Sequence, residues 1–571
     1  MGLKAYAFET SIRGALVAGA LLGSQTARAD PPALGLETIG RLELAWTFRT
    51  GNPRGHAGAP AVSGDSIFVL TPFPHALVAL DLQGHERWRV VPDSDPRAEG
   101  LATGGGVTDG PVLAGGRLYL TTLDGHAMAV EAATGRVAWD RAVASLDAGE
   151  TLRNAPLVQG GRVYVGSAGD DAGARGWLAA LDSGTGRELW RRLSTGPDGE
   201  VGIGPQFRSA YPTEAGADLG VRTWPPEAWR QGGGSPGPIL ADAELGVVVY
   251  GTGHPAPWNP DQRPGSNRWT SGLFARDAAT GAARWFTPTN PHDEHAYGAA
   301  SPNLLVDRPW RGVDRKLLVH PDPNGFLQVF DRETGLILSA KPIVPTNAVS
   351  GLDAGSGAPV RADAKRTHAD TMTRDICPAW TGPVLAEPAL SAETGFVLLP
   401  TSRLCMDLEP RDSGVIPGTL SIGANVRLKV PAGPAGALVA WDLEREAPAW
   451  TAEEPLPLAG GVLATGGLAI YGTLDGRLKA LDARSGRSLW EYRAPSGIIG
   501  RPVAFTGPDG RAYLAVLAGV GGPLGQAARG GIDVRDATAA GGLANAVRQA
   551  AYRDILGQGD ESGSLLVFRL P

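Results

Sequence analysis

One pattern returns seven times along the chain and limits what it can fold into. An alternating apolar strand leads to an acidic residue, then a turn usually carrying Thr-Gly or Ser-Gly, then Trp. The copies ending in Trp are LVALDLQGHERW (Trp88), AMAVEAATGRVAW (Trp139), LAALDSGTGRELW (Trp190), LFARDAATGAARW (Trp285), LVAWDLEREAPAW (Trp450) and LKALDARSGRSLW (Trp490). LQVFDRETGLILS, around Asp331, is a degenerate copy without its Trp. Acid and Trp stand seven or eight residues apart in every complete copy. Period-two alternation around a short glycine turn is a β-hairpin. A Trp at a fixed place in each hairpin suits a large ring packed between neighbouring sheets.

Uninterrupted copies recur about every 40–55 residues, the length of one four-stranded propeller blade. The expected fold is therefore an all-β, eight-bladed β-propeller. Seven blades come from the copies; the eighth is closed jointly by the N-terminal segment Ala45–Phe48 and the C-terminal LLVFRL. Such closure leaves no long sheet edge exposed. Two intervals, Asp182 to Asp277 and Asp331 to Asp442, are about twice as long as the blade period. The second is expected to have room for an extra blade, the first for long insertions such as Ser194 to Gly237. Gly 81 and Pro 46 agree with a turn-dense globular chain. A net charge of −7 and the lack of any basic run exclude a nucleic-acid footprint.

The first residues read as an export leader. Lys4 and Arg13 precede the apolar run Gly14 to Gly23, and Ala27-Arg28-Ala29 is a small-x-small cleavage site. Residues 1–29 are expected to be removed, leaving 30–571 as a single soluble domain in an oxidising compartment. Ten apolar residues span only ~15 Å of helix, too short for a membrane anchor, and no later stretch is long enough for a transmembrane segment. Cys377 and Cys405 are the only cysteines. In an oxidising compartment they are free to pair, which would be worth roughly 3.5 kcal/mol; two buried free thiols are the alternative.

Longer strings carry a family resemblance. Among them are AWTFRTG from Ala45, TWPPEAWRQGGG from Thr223, GTGHPAPWN from Gly251, PHDEHAYG from Pro291, KLLVHPDPNG from Lys316, DICP from Asp375 and LCMDLEP from Leu404. The chain resembles the PQQ-dependent methanol and ethanol dehydrogenases over nearly all of its mature length. The resemblance implies an eight-bladed periplasmic quinoprotein with PQQ and a Ca2+ or lanthanide ion at its centre. Such a protein oxidises a small alcohol and passes electrons to a separate cytochrome. It also implies that Cys377 and Cys405 form the family's structural disulfide.

Carried over residue by residue, the site does not match. The family's catalytic Asp falls on Ala296 and its preceding Trp on His295; a further Asp of lanthanide-type members falls on Gly298. The metal-ligand Glu is Asp171, in GSAGDD, and the ligand Asn is His254. Positions that cradle PQQ hold Gly237, Pro323, Thr103, Gly104, Ala459 and Pro523. Asp109 stands where the family has an Arg for a PQQ carboxylate, and Arg153 stands where it has a Thr. The two are expected to bind the cofactor or to pair with each other across the pocket. His295 is the remaining candidate base. Asp171, His254 and His295 also make a candidate transition-metal set, because imidazole suits Zn2+, Fe2+ or Cu2+ better than Ca2+.

Other polar clusters read as structure: His292, Asp293 and Glu294 as a turn network, His320, Asp322 and Asn324 as a strand-end loop, Ala539 to Tyr552 as a surface helix. Two functional readings follow. One is a divergent quinoprotein alcohol dehydrogenase. The other is a non-catalytic propeller, a pseudoenzyme that binds a periplasmic protein partner or a small ligand. The absence of CxxCH means electrons from any oxidation would leave by a separate carrier.

Overall fold

The structure, a computed structural model, describes residues 33–571 except 53, 103–107, 213–214, 354 and 521–562. The leader, the Ala539–Tyr552 segment, Thr103, Gly104 and Pro523 lie outside the described residues. Eight four-stranded antiparallel sheets make up most of the rest. The first joins Ala61–Ser63, Ser66–Leu70, Leu77–Asp81 and Glu86–Val90 in chain order. Sheets spanning 112–142, 157–193, 240–288, 304–342 and 462–493 repeat that order. In the closing sheet Glu43–Arg49 pairs with Ser564–Arg569, followed inward by Ala512–Ala518 and Val503–Thr506. The N-terminal strand thus takes the outermost place in a sheet whose other strands come from the C-terminus, as the sequence suggested. First strands of successive sheets lie against each other from 61 to 310 and again from 389 to 506.

This arrangement explains the sequence pattern. Ser66–Leu70 and Leu77–Asp81 are buried on both faces, because each central strand is covered by a sheet on either side. Glu86–Val90, the outermost strand, is mostly exposed. The Trp it carries reaches the following sheet. Trp88 donates its indole N–H to Ala132 O at 3.1 Å, and its ring lies against Gly135. The same contact recurs with Trp46 on Leu82 O (2.7 Å), Trp139 on Ser183 O (3.0 Å), Trp285 on Arg332 O (3.0 Å) and Trp450 on Ala483 O (3.0 Å). Trp190 makes it at 3.4 Å to Ala278 O. The turn glycine is required twice over: Gly281 has a φ of +72°, and a Cβ there would stand 2.5 Å from the Trp190 ring. The repeated acid is a turn cap. Asp182, Asp277, Asp331 and Asp482 each accept backbone N–H groups from their own turns.

The two long intervals differ from each other. The first holds an excursion with short helices at Asp198–Val201 and Leu219–Arg222, as expected. The second holds no extra four-stranded sheet among the described residues. It holds the hairpin Val349–Leu352/Pro359–Arg361 and a three-stranded sheet of Thr373–Ile376, Cys405–Pro410 and Ala424–Lys429. The last two of those strands are an excursion between Val397–Ser402 and Gly436–Asp442, neighbours in the sheet that ends with Glu454. Cys377 and Cys405 are bonded and tie two strands of this small sheet together. Where loops of several sheets converge, Trp258, Ala296, Tyr297, Leu456, Leu474 and Ile499 form one apolar cluster.

Candidate functional site

The site is assembled beside that cluster from the ends of separate sheets. Asp170 and Asp171 sit in a single 3-10 turn after the strand Arg162–Gly166. His254 follows the strand Val247–Gly251, and Trp258 lies four residues further on. Asp171 Oδ1 accepts the Trp258 indole N–H at 2.8 Å and stands 3.5 Å from His254 Nε2. The His254 ring meets Trp258 edge-on, with centroids 5.5 Å apart; Trp258 in turn meets Trp380 at 5.8 Å. The sequence-predicted pair Asp171 and His254 is therefore brought together.

Three carboxylates act on His254. Burial pushes its pKa down, but the charges of Asp171, Asp170 and Asp293 outweigh it and raise it above the usual imidazole range. Asp170 is lifted by desolvation against the pull of His254; its Oδ1 accepts Ser235 N–H at 2.8 Å. Asp293 is also buried, yet its pKa is lowered, because the Gly298 amide, Arg263 and His254 together exceed the burial cost. Its Oδ2 accepts Gly298 N–H at 2.7 Å and the Ser271 hydroxyl at 3.0 Å.

His295 is elsewhere. Its Nε2 lies 2.8 Å from Lys365 O, its ring packs on Tyr297, and burial lowers its pKa. Its ring shares no hydrogen bond or ion pair with Asp171 or His254 among the described residues, while its backbone N–H donates to Asp293 Oδ1 at 3.1 Å. No group of three His, Cys, Asp or Glu side chains suited to a metal occurs among the described residues. Asp171 and His254 meet, and no third His, Cys, Asp or Glu joins them in a metal-suited group among the described residues.

Ala296 is 3% exposed and part of the apolar cluster, yet its φ is +55°. A left-handed backbone costs a residue with a Cβ roughly 1–2 kcal/mol, and Asn or Asp tolerate it best. Asp109 and Arg153 do not pair through their side chains. Asp109 N–H donates to Arg153 O at 3.0 Å, and the Asp109 carboxylate accepts Ala155 N–H at 3.1 Å, while the Arg153 side chain is exposed. Burial raises the Asp109 pKa against the Ala155 amide and the Arg153 charge. The two loops are joined by the Asp109 amide and carboxylate, both bonded to main-chain groups of 153–155.

Sequence reasoning missed Asp170, whose only signal was the Asp-Asp doublet, and the ion pair Glu387–Arg501 at 3.2 Å. Desolvation raises the Glu387 pKa, with Arg501 opposing and Asp109 adding to it, although its side chain is 55% accessible. The structural clusters behave as expected. His292 Nδ1 lies 2.8 Å from Gly265 O, and Glu294 pairs with Arg366. His320 sits between Asn303 Oδ1 (2.8 Å) and Asp322 Oδ2 (3.1 Å).

Comparison with known proteins decides the family. The β-propeller domain of the glucose/ethanol/alcohol dehydrogenases, a PQQ family, matches residues 34–379. The lanthanide-dependent methanol dehydrogenase of Methylacidiphilum fumariolicum is 36% identical over 545 residues, covering 94% of this chain and 89% of the relative. The chain belongs to the PQQ-dependent alcohol dehydrogenase family. Subunit 1 of the methanol dehydrogenase [cytochrome c] of Paracoccus denitrificans is 37% identical over 505 residues, 85% of this chain and 80% of that one. A europium-containing methanol dehydrogenase structure superposes with a TM-score of 0.90 at 36% identity, covering 94% of this chain and 95% of the other. A model of outer membrane protein assembly factor BamB also matches residues 408–519.

Among the described residues, the side chains around Asp171 supply neither the oxygen set of a hard cation nor an aromatic floor at Gly237. A hard cation needs six or more oxygen ligands. Here Asp171 is engaged by Trp258 and His254, Asp170 by the Ser235 amide, and Ala296 offers no oxygen from its side chain. Gly237 leaves no space for a larger residue, since a Cβ would meet Ala300 O at 2.4 Å, so no aromatic floor stands there. Pro323 lies against Gly382 and supplies no donor. The aromatic surface nearest Asp171 is the Trp258–Trp380 pair, tilted by 58°.

Proposed function

We propose that this chain has the scaffold of the PQQ-dependent alcohol dehydrogenases and binds a small ligand at the axis without performing their oxidation. In this reading the eight sheets are the blades of one ring formed by residues 30–571, six of them tied to the next by a Trp–carbonyl contact. Residues 1–29 direct it to the periplasm. The observation that carries the reading is Ala296: a buried methyl group on a left-handed backbone, where the family resemblance puts the catalytic carboxylate. General-base catalysis commonly supplies 10²–10⁴-fold in rate, and His295 turns to Lys365 O and does not replace it. Fold does not carry function where the site has changed.

A second reading, oxidation of an alcohol with PQQ and a Ca2+ or lanthanide ion, is favoured by the 36% identity to a lanthanide-dependent methanol dehydrogenase across 94% of the chain. Electrons would then leave to a separate carrier, as the name of the cytochrome c-linked relative suggests. A dye-coupled assay with methanol and ethanol, on chain expressed from residue 30 and supplied with PQQ and Ca2+ or La3+, separates the two. The proposal expects no turnover above protein-free controls; sustained, metal-dependent turnover establishes the second reading.

A further inference from the structure

Two arginines meet outside the pocket around Asp171, where the sheet 157–193 packs on the sheet 240–288. Arg276, on the strand Gly272–Asp277, is 0% exposed. Its Nε donates to the Tyr250 hydroxyl at 2.7 Å, and its Nη1 to Val201 O at 2.5 Å and Gly281 O at 3.1 Å. Its guanidinium lies 4.0 Å from the centre of the Phe274 ring, and its buried Nη2 has no hydrogen-bond partner. Arg192, from the outermost strand of the neighbouring sheet, Glu188–Leu193, reaches the same two turns. Its Nη2 donates to Thr280 O at 3.1 Å, and its stem lies on Gly202, where a Cβ would stand 2.8 Å from Cδ. Its buried Nε is also without a partner. Burial and the Arg276 charge push the Arg192 pKa down.

A buried charge is ordinarily matched by an acid. Arg332, buried where the next two sheets meet, follows that rule: Asp242 and Asp307 each stand 2.6 Å from it. Among the described residues, every hydrogen bond of Arg276 and Arg192 goes instead to a carbonyl or to the Tyr250 hydroxyl. Asp277, next in sequence, is held by Arg284 at 2.6 Å, and Glu200, next to Val201, by Arg175 at 2.7 Å. We propose that Arg276 and Arg192 form an oxyanion site that takes phosphate or sulfate between the two sheets. The two unpartnered N–H groups are its donors, and guanidinium forks suit the oxygens of a tetrahedral anion. Arg192 is half-buried and is the movable wall of the site. Swinging it outward releases its bonds to Arg191 O and Thr280 O and opens the way to Arg276. The site shares no residue with the pocket around Asp171, so it stands whatever that pocket receives.

Equilibrium dialysis with radiolabelled phosphate and sulfate tests the site, on the chain expressed from residue 30, with ionic strength held constant by chloride. Arg192→Gln and Arg276→Met are measured beside the unaltered chain, each checked by circular dichroism. Arg87→Gln, at an exposed arginine of the first sheet, controls for the loss of one positive charge. One anion per chain should bind saturably in the millimolar range or tighter. Arg192→Gln and Arg276→Met should each weaken it at least about tenfold, and Arg87→Gln should leave it unchanged. Arg192→Gln decides alone if Arg276→Met does not fold. The absence of saturable binding overturns the proposal. So does binding that a folded Arg192→Gln retains in full, or that Arg87→Gln weakens as much.

Discussion

The contacts between sheets and the pocket at the axis obey different rules. Between sheets, one solution recurs: a Trp donates to a turn carbonyl in the next sheet and lies on a glycine that nothing larger can replace. In the pocket, Asp171, His254 and Asp293 come from different connections, and each makes contacts of its own. A repeated contact survives the loss of one copy, as at Asp331, where the Trp is missing and the sheet of 304–342 still forms. The axial site has no such redundancy. Changing a few of its side chains would alter its chemistry while every sheet remained in place.

Trp285→Ala should break the comparison hardest on the scaffold side. Its ring is buried and its N–H bonded to Arg332 O, so the substitution should cost about 3–5 kcal/mol, seen as a lower denaturant midpoint. Gly281→Ala should follow at about 2 kcal/mol, combining a positive φ with a Cβ 2.5 Å from Trp190. Gly160→Ala, whose added Cβ meets nothing within 4 Å, also has a positive φ and isolates the backbone part, about 1 kcal/mol. Equal losses at Gly281 and Gly160 would show that the Trp contact contributes nothing.

The smallest effects, about 1 kcal/mol or so per pKa unit, distinguish two buried histidines by sign. His75 accepts the Leu123 N–H at Nε2, and burial depresses its pKa. Its contribution to stability is complete above the unfolded-state pKa, about 6.5, and falls as the pH drops toward its lower folded value. His254 is raised by its acids. Its contribution is complete below about 6.5 and is lost as pH rises through the folded value. Stability measured against pH should therefore lose part of its acid limb in His75→Gln and part of its alkaline limb in His254→Gln. The same limb changing in both would contradict the account.

The scaffold was legible because it is periodic. Acid, turn glycine and Trp recur at fixed spacing, and the closing strands sit at the two ends of the chain. The doubled interval after Asp331 misled, since an excursion between two strands of one sheet has the same length in sequence as an additional sheet. At the axis, motif matching brought Asp171 and His254 together because both follow strand ends held in register. It failed for Asp109 and Arg153, where charge complementarity suggested a pair but the loops meet through main chain. It failed again for His295: one residue from Ala296 in sequence, it turns the other way, to Lys365 O. Glu387 and Arg501 precede the first strands of different sheets, far apart in sequence, and leave no sequence signal at all.

Fluorescence titration of the mature chain with PQQ, in the presence of Ca2+ and then La3+, tests the central claim most directly. The account predicts no saturable quenching at micromolar cofactor from a chain that shows a folded β spectrum. Saturable, metal-dependent quenching in that range would contradict it, and would mean that the pocket around Asp171 and His254 still receives the cofactor of its family.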